Sequence, residues 1–146
     1  METLHFSTSI NASKERVWEI LWNDDNYRKW TSVFCAGSYA ESDWNEGSKI
    51  LFLDGDRSGM ISKIETKKPF EQMVFKHLGE VKNGVEDTES EAVKKWANAL
   101  EGYRLSEEGG VTELVVEMDV FDDFKEYIKN TFPKALEQVK ILSESN

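Results

Sequence analysis

Residues Phe121 to Leu142 read FDDFKEYIKNTFPKALEQVKIL, and the fold turns on how this stretch is read. Its apolar residues fall at Phe121, Phe124, Ile128, Phe132, Ala135, Val139 and Leu142, spaced as one face of a helix. Lys125, Glu126, Lys129, Lys134, Glu137 and Lys140 mostly fill the other side. Asp122 suits an N-cap, and Asp122 and Asp123 complement the positive end of the helix dipole. Pro133 removes a backbone donor and predicts a kink near mid-length. A long helix with an aromatic face needs a broad apolar surface to lie on. The rest of the chain reads mainly as strands that can supply one.

Upstream of the helix, Thr112, Leu114, Val116 and Met118 alternate with Glu113, Val115, Glu117 and Asp119, which predicts a strand. Glu107-Glu108-Gly109-Gly110 predicts a hairpin turn, preceded by a strand over Ala97 to Ser106 with Ala99, Glu101, Tyr103 and Leu105 on one face. Further strands are expected at Leu4 to Ile10, Ser48 to Leu53, Gly59 to Thr66 and Gln72 to Leu78, and a short one near Ser38 to Glu41. Asp54-Gly55-Asp56 and Lys67-Lys68-Pro69 read as turns. After the first strand, Ser13 can cap a helix pairing Val17 with Leu21 and Trp18 with Trp22. Asp24 can cap a second short helix to Trp30.

Gly79 to Trp96 interrupts the meander and is too long for a hairpin loop. Thr88-Glu89-Ser90-Glu91 fits a capping box, so a short helix to Lys95 is expected, with Ala92, Val93 and Trp96 on one side. The segment is either an acidic solvent loop or a flap that packs Trp96 over a cavity rim. The order of elements defines an antiparallel α+β domain over residues 1–146: a curved sheet of six or seven strands gripping a long C-terminal helix, with two short helices after the first strand.

Composition narrows the function classes. Hydrophobic residues make up 39% of the 146 residues, which is too apolar for a disordered chain. A net charge of −10 repels phosphate backbones and anionic headgroups, arguing against nucleic-acid binding. No apolar run approaches the roughly 20 residues that span a bilayer, so no membrane insertion is expected. Met1 to Ser9 lacks the basic start and apolar core of a signal peptide, so the expected place is the cytoplasm. Cys35 is the only cysteine, which leaves no intrachain disulfide and no cysteine metal cluster.

Signals for catalysis are few. His5 and His77 are the only histidines. There is no His-x-x-x-His pair, no glycine-rich phosphate loop and no nucleophile elbow. No catalytic residue, metal or cofactor is therefore assigned. One pair stands out. His77 and Glu101 lie on strands expected to be antiparallel neighbours, on the faces that carry Phe75 and Tyr103. A carboxylate on an apolar face must be paired or protonated. The pair is either a satisfied sheet-end contact or the polar end of an apolar cavity that orients a ligand headgroup.

Several stretches resemble a known family. Ile10-Asn11-Ala12-Ser13 followed by Val17-Trp18 and Leu21 is similar to the opening of the START-related helix-grip (SRPBCC) superfamily, and Asp25-Asn26-Tyr27-Arg28-Lys29-Trp30 to its next segment. Gly47 before a strand, Phe75-Lys76-His77-Leu78-Gly79, Trp96 followed by Glu101-Gly102-Tyr103, and Pro133-Lys134-Ala135-Leu136 resemble the branch named after the activator of heat-shock protein 90 ATPase. The resemblance implies a hydrophobic cavity between sheet and long helix. Members include lipid carriers, hormone receptors, polyketide cyclases and the chaperone activator.

Alternation then turns Met60, Phe75, Tyr103 and Met118 inward, facing Phe124, Ile128 and Phe132 of the helix. Trp30 and Phe52 join them, as packed core or as cavity wall. Polar atoms are expected from His77, Glu101, Tyr103 and Ser62. The favoured partner is a small apolar or amphipathic ligand. A protein-docking role with a chaperone or another protein, and an acid–base enzyme resembling a cyclase or hydrolase, are the alternatives.

Overall fold

Strand β1 (Glu2–Ile10) opens the computed structural model, which describes residues 1–145. Its alternation half-buries Leu4, Phe6 and Thr8 and fully buries Ile10. The Ser13 hydroxyl accepts from the Arg16 N–H at 3.1 Å and so caps α1 (Lys14–Trp22), satisfying a donor left free at the helix start. α1 turns Val17, Ile20 and Leu21 into the core. Asn23 ends α1 and begins α2 (Asp24–Thr31). Asp24, expected as the cap of α2, sits in its first turn and accepts from Arg28 one turn on.

The sheet is antiparallel, in the order β1-β8-β7-β5-β4-β3-β2, with β6 pairing β5. β2 (Tyr39–Glu41), β3 (Lys49–Leu53) and β4 (Gly59–Lys68) form one end. β5 (Gln72–Lys82), β7 (Leu100–Glu108) and β8 (Val111–Val120) lead back to β1. Gly109 and Gly110 join β7 to β8 with φ of 60° and 81°, the left-handed pair that a two-residue hairpin turn requires.

Among the described residues there are eight strands rather than six or seven, and the difference lies between Gly79 and Trp96. β5 runs past its expected end at Leu78 to Lys82, turns at Asn83-Gly84, and pairs with β6 (Val85–Asp87). Gly79 makes room for this return. A Cβ there would stand 2.1 Å from the Asp87 carbonyl oxygen. Ser90, not Thr88, caps α3 (Glu91–Lys94) by accepting from the Val93 N–H, and Val93 is buried. Ala92, expected on the packed side, is exposed. The segment is thus a hairpin and a helical turn docked on the sheet, not an extended loop.

A bulge hid the continuation of β5. Ile61 pairs with Gly79 but Ser62 pairs with His77, so Leu78 has no partner on β4. A bulge reverses the alternation beyond it. Phe75 and His77 face inward with Ile64 and Ser62. Past the bulge, Glu80 lies opposite Met60, while Val81 joins Ile61 and Leu53 in a separate apolar cluster.

From β8 the chain makes a 3-10 turn (Asp122–Phe124) and enters α4 (Lys125–Glu144). Asp122 therefore lies inside that turn and does not cap the long helix; Phe124 holds the N-cap position. α4 buries Phe132, Ala135, Leu136 and Val139 against β1, α1 and α2. Arg16 Nη2 donates to the Leu142 and Ser145 carbonyls at 3.2 Å each, satisfying acceptors that the helix end leaves open.

Candidate functional site

A cavity of about 530 Å³ lies between the sheet and α4. Its wall contains Trp30, Phe52, Met60, Phe75, His77, Glu101, Tyr103, Met118, Phe124, Ile128 and Phe132, which alternation and helix period brought together from distant parts of the chain. Most of these side chains are also packed. Phe132 is 2% exposed, stacks on Phe6 at 5.0 Å, and meets Phe34 and Tyr103. Phe52 and Phe75 meet edge to face at 5.0 Å, with Tyr27 beyond Phe52. Core and cavity wall are therefore the same aromatics seen from two sides. Phe124 departs from this pattern. The 3-10 turn rotates it off the buried face, and it lines the rim with 54% of its surface exposed.

The polar end is a chain of four side chains. Ser62 Oγ lies 2.7 Å from His77 Nδ1, and His77 Nε2 lies 3.0 Å from Glu101 Oε1. The Tyr103 hydroxyl donates to Glu101 Oε2. An ionised carboxylate only accepts, so the proton that His77 shares with such a carboxylate sits on Nε2, and Nδ1 faces the Ser62 hydroxyl. The register builds this chain. Glu101 pairs with Phe75 on one side and Met118 on the other, both apolar. His77 is clamped to the neighbouring segment by its N–H donating to the Ala99 carbonyl and its carbonyl accepting from Asn98.

Electrostatics keep the phenols protonated. Burial raises the Tyr103 hydroxyl well above the ordinary phenol range, and the charge of Glu101 adds to it. Burial raises Tyr27 too, with a smaller contribution from Glu101. Both stay hydrogen-bond donors at any physiological pH.

The Ser62–His77–Glu101 chain has the members of a hydrolytic triad in an order that does not serve one. Ser62 is 0% exposed and sits behind His77, outside the cavity wall, so its hydroxyl cannot reach a bound molecule. His77 and Glu101 both line the cavity, and Glu101 is the more open of the two, its side chain 19% exposed against 7%. The arrangement presents a buttressed acceptor, not a nucleophile. Among the described residues, no three His, Cys, Asp or Glu side chains converge to hold a metal ion.

Other wall residues were not legible from alternation. Trp22 meets Phe75 at 5.3 Å and Tyr103 at 4.9 Å, and its buried Nε1 has no partner among the described residues. Helix period marked Trp22 only as part of an apolar pair with Trp18. Phe34 and Tyr127 join the rim, where the Tyr127 hydroxyl donates to the Phe34 carbonyl at 2.9 Å. Glu80 enters through the bulge. Asp119 enters at the end of β8, where its carboxylate accepts from Thr3 and from the Leu100 N–H. Trp96 is half-buried and lines the cavity.

A long helix held across an antiparallel sheet, with an aromatic cavity between them, defines a helix-grip protein of the START-related (SRPBCC) type. Residues 11–143 match the family described as Activator of Hsp90 ATPase homolog 1-like protein, and the chain belongs to that family. Solved structures agree on the fold. The Aha1 dimer from Colwellia psychrerythraea is 17% identical with a TM-score of 0.75, covering 99% of this chain and 97% of that one. Protein CV1439 from Chromobacterium violaceum is 16% identical with a TM-score of 0.73, covering 100% of each chain. CalU16 from Micromonospora echinospora is 15% identical with a TM-score of 0.68, covering 97% of this chain and 75% of that one. No curated protein matches the sequence.

Proposed function

We propose that the protein binds a small hydrophobic or amphipathic molecule in the cavity between sheet and helix. The observation that carries this reading is about 530 Å³ of space walled by aromatic and aliphatic side chains, with hydrogen-bonding groups gathered at Glu101. That size and lining suit a ligand of moderate size, whose apolar burial supplies most of the affinity while a few polar contacts fix its orientation. In this reading Trp30, Phe52, Met60, Phe75, Met118, Ile128 and Phe132 hold the body, Phe124 guards the rim, and His77, Glu101 and Tyr103 hold the polar end.

Titration with a naphthalene-based fluorescent probe, alongside a native mass spectrum of the purified protein, tests it. Saturable probe binding, or a copurifying small molecule, supports the reading. Failure of every hydrophobic probe to bind overturns it. A second reading, docking of a chaperone or other protein, is favoured by the exposed Phe124 and Tyr127 beside each other on the rim. A complex weakened by Phe124→Ala and Tyr127→Ala in a protein that binds no probe would support that reading instead.

A further inference from the structure

The charges around the cavity say what kind of polar end a ligand should carry. Four carboxylates line it, Asp54, Glu80, Glu101 and Asp119, and no lysine or arginine does among the described residues. Three of the four are committed at the edges. Asp54 accepts from the Asp56 and Ser58 N–H groups, Asp119 from Thr3 and Leu100, and Glu80 pairs with Lys82 at 3.5 Å. Glu101 is the carboxylate set among aromatic rings, held by His77 Nε2 and the Tyr103 hydroxyl with no lysine or arginine against it among the described residues. Two arginines touch the lining residue Tyr39, and each is already matched: Arg28 to Asp24 and Arg57 to Glu41.

From this we infer that the cavity selects a cationic amphiphile, an amine or quaternary ammonium on an apolar or aromatic body, with its positive group at Glu101. The inference rests on the cavity-binding reading above and narrows its ligand class. An anionic headgroup placed there would face a like charge in a low-dielectric site, and the local donors are already spent on that carboxylate. A cation gains the carboxylate, in a cavity whose wall is aromatic, with Phe75, Tyr103 and Trp22 among its lining residues.

Three probes on one skeleton test this at neutral pH: naphthylmethyl-trimethylammonium, naphthylmethanol and naphthoate. The ammonium should bind about tenfold tighter than the alcohol, and naphthoate about tenfold weaker. In Glu101→Gln, folded by circular dichroism, the roughly tenfold advantage of the ammonium over the alcohol should vanish, because the ammonium loses more than the alcohol does. Naphthoate binding as tightly as the ammonium, or the alcohol matching it in the wild-type protein, overturns the inference and leaves the cavity reading standing. An ammonium preference that persists in Glu101→Gln removes Glu101 from its role and overturns the inference as stated. If none of the three probes binds, the cavity reading has failed and this inference fails with it. Should Glu101→Gln not fold, the wild-type series decides by itself.

Discussion

Truncating Phe132 of α4 and Phe124 of the 3-10 turn before it, Phe132→Ala and Phe124→Ala, should have very different consequences. Both lie on the face that helix period assigns to the core. Phe132 is 2% exposed and meets Phe6, Phe34 and Tyr103 ring to ring. Returning a buried side chain of this size to water costs about 1.5–3 kcal/mol. The space left behind and the lost ring contacts add to that, for a total of about 3–5 kcal/mol. Phe124 keeps 54% of its surface in water, so only part of that transfer energy is at stake and no closed void forms. Its loss should be about 1 kcal/mol or less. Urea denaturation of both variants, with unchanged slopes, reads the two values directly. Against a total stability of about 5–15 kcal/mol, the Phe132 effect is large enough to lower the melting temperature by roughly 10 °C. Equal losses at the two positions would refute the reasoning. So would a Phe132 effect below about 1 kcal/mol, which would mean that α4 is not the helix the sheet grips.

Three further outcomes follow from the geometry. Ser62→Ala leaves His77 Nδ1 buried without its 2.7 Å partner, so stability should fall by about 1–3 kcal/mol and the histidine ring nitrogen shifts in NMR should change. Tyr27 and Tyr103 are held protonated in the folded state, whereas an unfolded phenol ionises near pH 10, so the unfolded state binds fewer protons above that pH. The stability they contribute is complete below about pH 10 and is lost as the pH rises toward the folded-state values; a urea midpoint that did not fall between pH 9 and 11 would count against their burial. Amide exchange should be slower in the β5–β6 hairpin than in the loop residues Thr88 and Glu89. The Asp87 carboxyl is held below its ordinary range by the backbone N–H groups of Ser90 and Glu89, so this local order is present above the ordinary carboxylate pKa and loosens as the pH falls through the depressed one.

Much of this protein is legible in its sequence, because period and alternation are local properties. The steps from Phe121 to Leu142 mark the long helix, and the two-residue alternation of Leu4 to Ile10 or Thr112 to Met118 marks strands with one buried face. Ser13 announces its helix because a cap needs only a hydroxyl within three residues of the N–H it accepts from. The meeting of His77 with Glu101 was legible too, since two strands that must be antiparallel neighbours leave few registers open. Features that depend on partners distant in sequence became fixed only when the chain folded. The bulge at Leu78 is invisible until β4 pairs with β5, yet it redirects Glu80 toward the cavity and sends Val81 to the other side. The hairpin of β6 exists because the Asp87 carbonyl can lie on Gly79. The 3-10 turn before α4 moves Phe124 from core to rim although its spacing to Ile128 is that of one helix face. Above all, Ser62 lies buried behind His77 while His77 and Glu101 line the cavity, and no pattern of spacing carries that order.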